Sequence, residues 1–527
     1  MLRKIRLTCA LVVFVLITGL FLDFTGTLHT WLGWLAKIQF LPAVLALNIG
    51  VIVFLVVLTL VFGRIYCSVI CPLGVFQDIV SWVSGRRKKK HYRFSYSPEV
   101  KWLRYGVLTL FVIALIAGIG SLVALLAPYS SYGRIVQNLF QPIYIWGNNL
   151  LAFLAERAGS YVFYEKDVWL RSLPTFIIAA VSFVALIVLA WRNGRTYCNT
   201  VCPVGTVLGF ISRFSLLHPV LDAGKCTKCS SCARRCKAAC IDYNNHKIDY
   251  SRCVACMDCI DTCQHDALHL QWRWNDMNLS NEDNIVKADA TKPIDTSRRT
   301  FLIGVAVATT TAAWAQKKKK IDGGLAVVED KIAPKRTTPI TPPGSFSAEN
   351  MARHCTACQL CVAQCPNDVL RPSTDLMKLM QPTMSYERGY CHPRCTRCSK
   401  VCPTGAIRPI TRTAKSATQI GHAVWVKKNC IPLTDGVECG NCARHCPAGA
   451  ITMVPSKPSN PKSPKIPAVN TERCIGCGAC ENQCPARPFS AIYVEGHETH
   501  HTIKSNLNET MTKQNSRNKG HYKSNGH

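Results

Sequence analysis

Acidic residues are scarce in this 527-residue chain: 31 Asp and Glu stand against 62 Lys and Arg, giving a formal net charge of +31. A surplus of that size raises nucleic acid as a partner, but no recognised nucleic-acid-binding motif accompanies it, and no nucleic acid is expected. The sequence also lacks a glycine-rich nucleotide-binding motif and a C-x-x-C-H haem-attachment site. No residue set therefore suggests an enzyme with a substrate of its own.

Cysteine is plentiful, at 30 residues. A small secreted domain this rich in cysteine would suggest disulfides. Here the chain is long and the cysteines stand two or three residues apart, as metal ligands do. One repeat holds Cys226, Cys229, Cys232 and Cys236, then Cys253, Cys256, Cys259 and Cys263. This is two-cluster ferredoxin spacing, in which three close cysteines grip one cluster and the fourth reaches the other. It assigns Cys226, Cys229, Cys232 and Cys263 to one cluster, and Cys253, Cys256, Cys259 and Cys236 to the second. Cys240 is an extra thiol, so either Cys236 or Cys240 fits the last place; spacing favours Cys236.

Four further motifs lie downstream. They are Cys355, Cys358, Cys361, Cys365; Cys391, Cys395, Cys398, Cys402; Cys430, Cys439, Cys442, Cys446; and Cys474, Cys477, Cys480, Cys484. Each ends in Cys-Pro. The second and third are stretched at the first ligand, and spacing leaves open which motifs exchange their fourth cysteine. Zinc knuckles pair two C-x-x-C units without repeating this longer pattern. The sum is about six 4Fe–4S clusters. At about −2 each with their thiolates, six clusters offset roughly 12 of the positive charges.

Apolar runs at 7–24, 41–62, 102–127 and 174–191 are each near the roughly 20 residues a helix needs to cross about 30 Å of hydrocarbon. The first run has no small-residue cleavage site after it and is not expected to be a cleaved signal. Basic residues at Arg3, Lys4 and Arg6, at Arg86 to Lys90, and at Arg192, Arg195 and Arg213 place those stretches in the cytoplasm. Residues 139–155 are apolar but interrupted by Pro142, Gly147, Asn148 and Asn149, and read as interfacial or re-entrant. Cys9 lies within the first helix and reads as packing.

Two stretches of the membrane part repeat. Gly63-Arg64-Ile65-Tyr66-Cys67-x3-Cys71-Pro72-Leu73-Gly74 matches Gly194-Arg195-Thr196-Tyr197-Cys198-x3-Cys202-Pro203-Val204-Gly205. A duplicated two-helix unit follows, whose motifs are able to meet across a pseudo-twofold axis. Cys67, Cys71, Cys198 and Cys202 are candidate redox or metal residues, as an iron–sulfur centre or a dithiol pair; a structural turn with inert buried thiols is the plain alternative. Ser297-Arg298-Arg299-Thr300-Phe301-Leu302, with an apolar stretch ending at Ala313-Trp314-Ala315, resembles a twin-arginine export signal.

The expected organisation is multi-domain, an α-helical membrane domain of about four spans joined to α+β ferredoxin-like modules. Residues 1–215 form the membrane domain and 216–270 a cytoplasmic two-cluster module. A linker covers 271–296, the signal or anchor 297–316 and a second linker 317–349. The four-cluster region is 350–495, and 496–527 is a disordered tail.

With these motifs, residues 1–265 resemble membrane ferredoxins of the NapH/MauN type, and 297–495 resemble twin-arginine-exported ferredoxins of the NapG/MauM type. The chain looks like a fusion of the two. The resemblance implies a multi-pass protein of the bacterial inner membrane that takes electrons from quinol. It would deliver them to a periplasmic redox partner, which puts the second cysteine region in the periplasm. A maturation role for a metalloenzyme and outward transfer from a cytosolic donor are the alternatives.

Overall fold

The computed structural model describes residues 2–85, 94–273 and 329–503. The basic stretch Arg86 to Lys90, most of the first linker, residues 317–328 of the second, the twin-arginine segment and most of the tail lie outside the described residues.

Four apolar helices form a layer: α1 (Leu2–Leu22), α2 (Ile49–Phe62), α3 (Lys101–Ile116) and α4 (Leu173–Asn193). Their sequences are Leu-, Val- and Ile-rich, with charges kept to the ends at Arg3, Lys4, Arg6, Lys101, Arg104 and Arg192. One face of each closes on the interior through Ile17, Leu20, Leu55, Phe111, Ala114, Ala179 and Leu186. The opposite faces leave Leu11, Val15, Val53, Phe54, Ile113, Val181 and Val184 exposed. Among the described residues, α1 and α4, 21 residues each, are long and apolar enough to cross a membrane. The other two expected spans are broken. Residues 41–62 divide into Phe40–Leu45 and the 14-residue α2, with Leu47 left-handed between them. Residues 102–127 divide at Gly118 (φ 71°) into α3 and Gly120–Leu126. A left-handed residue ends a helix because it turns the next amide off the helical path.

The layer has two ends, and each meets a different cysteine region. At one end Arg3 pairs with Asp258 (2.8 Å), Leu216 N donates to Leu60 O (2.7 Å), Arg104 Nη2 donates to Ser251 O (3.0 Å) and Arg195 N donates to Lys237 O (2.9 Å). At the other, Gln364 donates to Asp23 O, a Cβ built on Gly118 would meet the Arg353 side chain, and Arg171 pairs with Asp368 (3.7 Å). The Gln141–Arg157 helix keeps to this second end, with Tyr144 against Phe24 and Asn148 donating to Tyr164 O (2.9 Å).

The cysteine regions are small α+β units held by two-stranded antiparallel sheets. Leu217–Leu221 pairs with Leu268–Trp272, bracketing the first two motifs, and the Ile241–Asp242/Lys247–Ile248 hairpin lies between them. The same plan recurs downstream. Thr418–Trp425 pairs with Ile492–Thr502 around the third and fourth motifs of the second region, with Ile451–Pro455/Lys465–Val469 between them.

Candidate metal centres

The tight cysteine loops owe their shape to left-handed residues. In Cys226–Cys232 these are Lys228 and Ser230; in Cys253–Cys259, Ala255 and Met257; in Cys355–Cys361, Ala357 and Gln359; in Cys474–Cys480, Gly476 and Gly478. Each pair occupies the second and fourth positions after the first cysteine. Paired left-handed residues curl the backbone so that amides turn inward, a concavity suited to an anion. The stretched second and third motifs lack the pair: Thr396 has φ −124° and Gly440 φ −145°.

A short helical turn then carries the fourth cysteine away from its own loop, as Ser231–Arg235 does before Cys236 and Ala479–Gln483 before Cys484. The cysteines gather accordingly. Cys226, Cys229, Cys232 and Cys263 line one hollow; Cys253, Cys256, Cys259 and Cys236 line another. Cys240 lines the second hollow too, with its Sγ 3.5 Å from that of Cys236. Cys365, Cys391, Cys395 and Cys398 line a third; Cys430, Cys439, Cys442 and Cys484 a fourth; Cys446, Cys474, Cys477 and Cys480 a fifth. Cys355, Cys358 and Cys361 all lie within electrostatic reach of Cys402. The pairing that spacing left open is thus first motif with second and third with fourth.

The spread of these thiols does not suit zinc, whose thiolates close to about 2.3 Å around one point. Among the described residues no three His, Cys, Asp or Glu side chains converge as ligands of a single ion would. The donor set fits a polynuclear cluster: four thiols around a hollow, with amides aimed at sulfur. Ala357 N lies 3.4 Å from Cys355 Sγ, Ile407 N 3.4 Å from Cys402 Sγ, Ala450 N 3.2 Å from Cys446 Sγ and Ala491 N 3.3 Å from Cys484 Sγ. Such bonds stabilise charge on sulfur and tune a cluster's potential. Lys415 adds a cation, its Nζ 3.1 Å from Cys391 Sγ. Burial pushes the Cys232 and Cys442 thiols up to about 11, so thiolate at these sites calls for a bound cation centre.

Protein-family models described as 4Fe-4S binding domains match residues 44–91 with 175–219 and residues 246–269, and a 4Fe-4S dicluster domain matches 437–487. The methylamine utilization ferredoxin-type protein MauM of Methylobacillus flagellatus is 31% identical over 166 residues, covering 31% of this chain and 70% of MauM. The chain belongs to the Nap/Mau ferredoxin-type proteins. Two further relatives of this kind are similar to it. Ferredoxin-type protein NapF of Escherichia coli K12 is 29% identical over 164 residues, 31% of this chain and 90% of NapF. Ferredoxin-type protein NapH of the same organism is 26% identical over 244 residues, 45% of this chain and 71% of NapH. This ferredoxin-type chain is accordingly an iron–sulfur electron-transfer protein with several 4Fe–4S-binding domains.

The remaining paired cysteines, Cys67, Cys71, Cys198 and Cys202, are all buried, 4 to 5% exposed. They lie on two short motifs that turn back into the helical layer instead of forming open loops. Pro72–Gly85 runs beside α4, with Phe76 against Phe183, Ser81 Oγ donating to Ala190 O (3.0 Å) and Ser84 Oγ to Trp191 O (3.1 Å). Cys9 is exposed on α1.

Proposed function

We propose that this chain carries electrons across a membrane along six 4Fe–4S clusters, two at one face and four at the other. The observation that carries the reading is the order of the cysteine groups on the two sides of the helical layer. Cys232 lies within electrostatic reach of Cys259, Cys361 of Cys398, and Cys391 of Cys477. Interleaved ligands join each pair of clusters: Cys232 and Cys236 are one turn apart on one strand of chain yet serve different hollows. The groups therefore run from Cys226 to Cys263, on through Cys253, the helical layer, Cys358 and Cys391, to Cys477 and finally Cys430. At about 1.5 Å per residue, α1 spans about 31 Å, the thickness of a bilayer's hydrocarbon core.

Four membrane crossings by α1, α2, α3 and α4, with the N-terminus and the Cys226–Cys263 module in the cytoplasm, follow from the basic residues and from the opposite contacts of the two cysteine regions. The second region is periplasmic, exported by the Ser297–Leu302 signal. The membrane half resembles NapH and the second region MauM, so the chain is read as their fusion. The donor is quinol and the acceptor a periplasmic redox protein.

Anaerobically purified full-length protein should hold about 24 iron and 24 sulfide, and a quinol analogue should reduce them. Zinc without sulfide would sink the cluster assignment, and clusters that dithionite reduces but no quinol does would sink the quinone assignment. Protease added to spheroplasts should cleave within 350–495; protection there would overturn the topology.

A further inference from the structure

Eight residues separate Cys430 from Cys439, where the regular motifs have two between their first ligands. The added length builds an arm. Ile431–Thr434 forms a short helix, and Gly436, at φ 68°, turns the chain back toward Cys439. Ile431 and Pro432 line the hollow of Cys430, Cys439, Cys442 and Cys484, but Leu433 and Val437 are left 45% and 59% exposed. The other lip of the same hollow carries Pro485 and Ala486, and Phe489 just beyond them is 49% exposed.

Cations stand around these apolar side chains. Lys427 and Lys428 precede Cys430, Arg444 lies between Cys442 and Cys446, and Arg487 follows Cys484. All four are exposed, and among the described residues none pairs with a carboxylate. Lys427 Nζ lies 5.9 Å from the ring centre of Trp425, which lines the hollow. Arg487 Nη1 donates to Cys484 O (2.8 Å) and to Ala486 O (3.1 Å), which holds its guanidinium at the lip. The arm itself carries Asp435 and Glu438. Cations therefore outnumber carboxylates here by four to two, and the rim is basic.

An apolar centre inside a charged rim is the anatomy of a protein interface, and apolar side chains gathered at the surface mark such sites. This region meets the helical layer through Arg353, Gln364 and Asp368 of its first motif. Leu433, Val437 and Phe489 are thus no continuation of the apolar belt that lipid would cover. They surround the group that ends the series, where Cys439 and Cys442 are half-buried. A few exposed anchors suffice there, since transient redox encounters bury less than about 1,200 Å² in total.

We propose that the Leu433–Val437 arm, Phe489 and the cations around them dock a one-electron redox protein whose cofactor is rimmed by carboxylates, and that the Cys430 cluster passes it the electron. One electron leaves the reduced 4Fe–4S centre for the partner's oxidised cofactor, and no bond is made or broken. This rests on the reading of the chain as an electron carrier to a redox protein and specifies the surface of that acceptor. Opposite charges steer the encounter and raise its rate; the apolar contact then brings the two centres close.

The test uses full-length protein, purified anaerobically, reduced with dithionite and freed of the excess. It is mixed in a stopped flow with plastocyanin, an acidic oxidant, or cytochrome c, a basic one. Wild type should reduce plastocyanin at a rate that falls steeply with salt. Lys427→Glu with Lys428→Glu should slow plastocyanin about tenfold and speed cytochrome c. Leu433→Ser with Val437→Ser should slow plastocyanin and leave the salt dependence as it was. Both should keep about 24 iron; Phe489→Ser takes the place of a variant that does not. Arg234→Glu with Arg235→Glu, exposed at the other end of the series, should change neither rate. Wild-type rates in the arm and rim variants, or slowing only in the Arg234 and Arg235 variant, would overturn the proposal. Unchanged rates with lost self-association would give the patch to a second copy of this chain and overturn it equally. Dithionite supplies the electrons, so a protein that quinol does not reduce refutes the quinone assignment and leaves the docking result standing.

Discussion

Cys402 sits in the second motif of its region by sequence but faces the first motif in space. Its thiol lies within electrostatic reach of Cys355, Cys358 and Cys361, and its Sγ accepts from Ile407 N at 3.4 Å. The other ligands of its own motif, Cys391, Cys395 and Cys398, line a hollow with Cys365. Alanine is the informative replacement, since serine offers iron an oxygen. Cys402→Ala should remove one cluster, about four of 24 iron, and so should Cys355→Ala. Combined, they should still remove about four, because both act on one site and ligands of one site are not additive. Cys402→Ala with Cys391→Ala should remove about eight. Iron and sulfide per chain, measured on monodisperse protein, read the difference directly. The reverse pattern, eight for Cys355 with Cys402 and four for Cys391 with Cys402, would refute the exchange.

Gly478→Ala should empty the Cys446–Cys480 hollow, a loss of about four iron by metal analysis, because Gly478 has φ 78° and its Cβ would sit 2.2 Å from the Tyr386 ring. Asp78 is shared by Arg6 (3.2 Å), Arg195 (2.7 Å) and Lys237 (3.6 Å). Asp78→Asn leaves buried cations unpaired, and should cost about 3–5 kcal/mol, seen as a lower melting temperature in detergent. His500, held by Thr341 at 2.9 Å, has its pKa lowered by burial from 6.5 to about 4. Its neutral form favours the folded state, so the stability it lends is complete above pH 6.5 and lost as pH falls toward 4. Hydrogen exchange in the Thr418–Trp425/Ile492–Thr502 sheet should quicken over that interval, and a His500→Gln variant should show a flatter profile.

The cysteine spacing made the first module legible down to its interleaving, because C-x2-C-x2-C-x3-C fixes a loop whose fourth ligand has nowhere to go but the neighbouring site. It did not make the pairing in the second region legible. That depends on which strands meet, and Thr418 pairing with Thr502 is a long-range contact no local pattern encodes. The apolar runs located the helices but overstated two of them, since a hydropathy pattern does not register one left-handed residue such as Leu47 or Gly118. The repeat of Gly-Arg-x-Tyr-Cys was legible as a duplication; that each arginine serves the opposite copy was not, because crossing partners lie about 130 residues apart.

The scarcity of acid also gains a physical reason. Arg64, Arg104, Arg134 and Arg195 are among the largest fully buried side chains, and burying an unpaired guanidinium is expensive. Asp78 serves Arg195 and Glu99 serves Arg104. Arg134 donates to Ser131 Oγ (3.1 Å), leaves Nη1 without a partner, and among the described residues faces the thiol of Cys358 and no carboxylate. Lys415 likewise spends its ammonium on Cys391 Sγ and on His392 O (2.8 Å). Clusters of about −2 each supply the missing counter-charge. Stripping the iron should therefore do more than empty the hollows; it should expose the seat of Arg134. Amide exchange over Pro128–Ile135 should rise on iron removal and fall again on reconstitution, while exchange in the middle of α1 stays slow. Arg134→Leu, which needs no counter-charge, should blunt that response. Equal exchange in loaded and stripped wild type would refute the view that cluster charge holds this arginine in place.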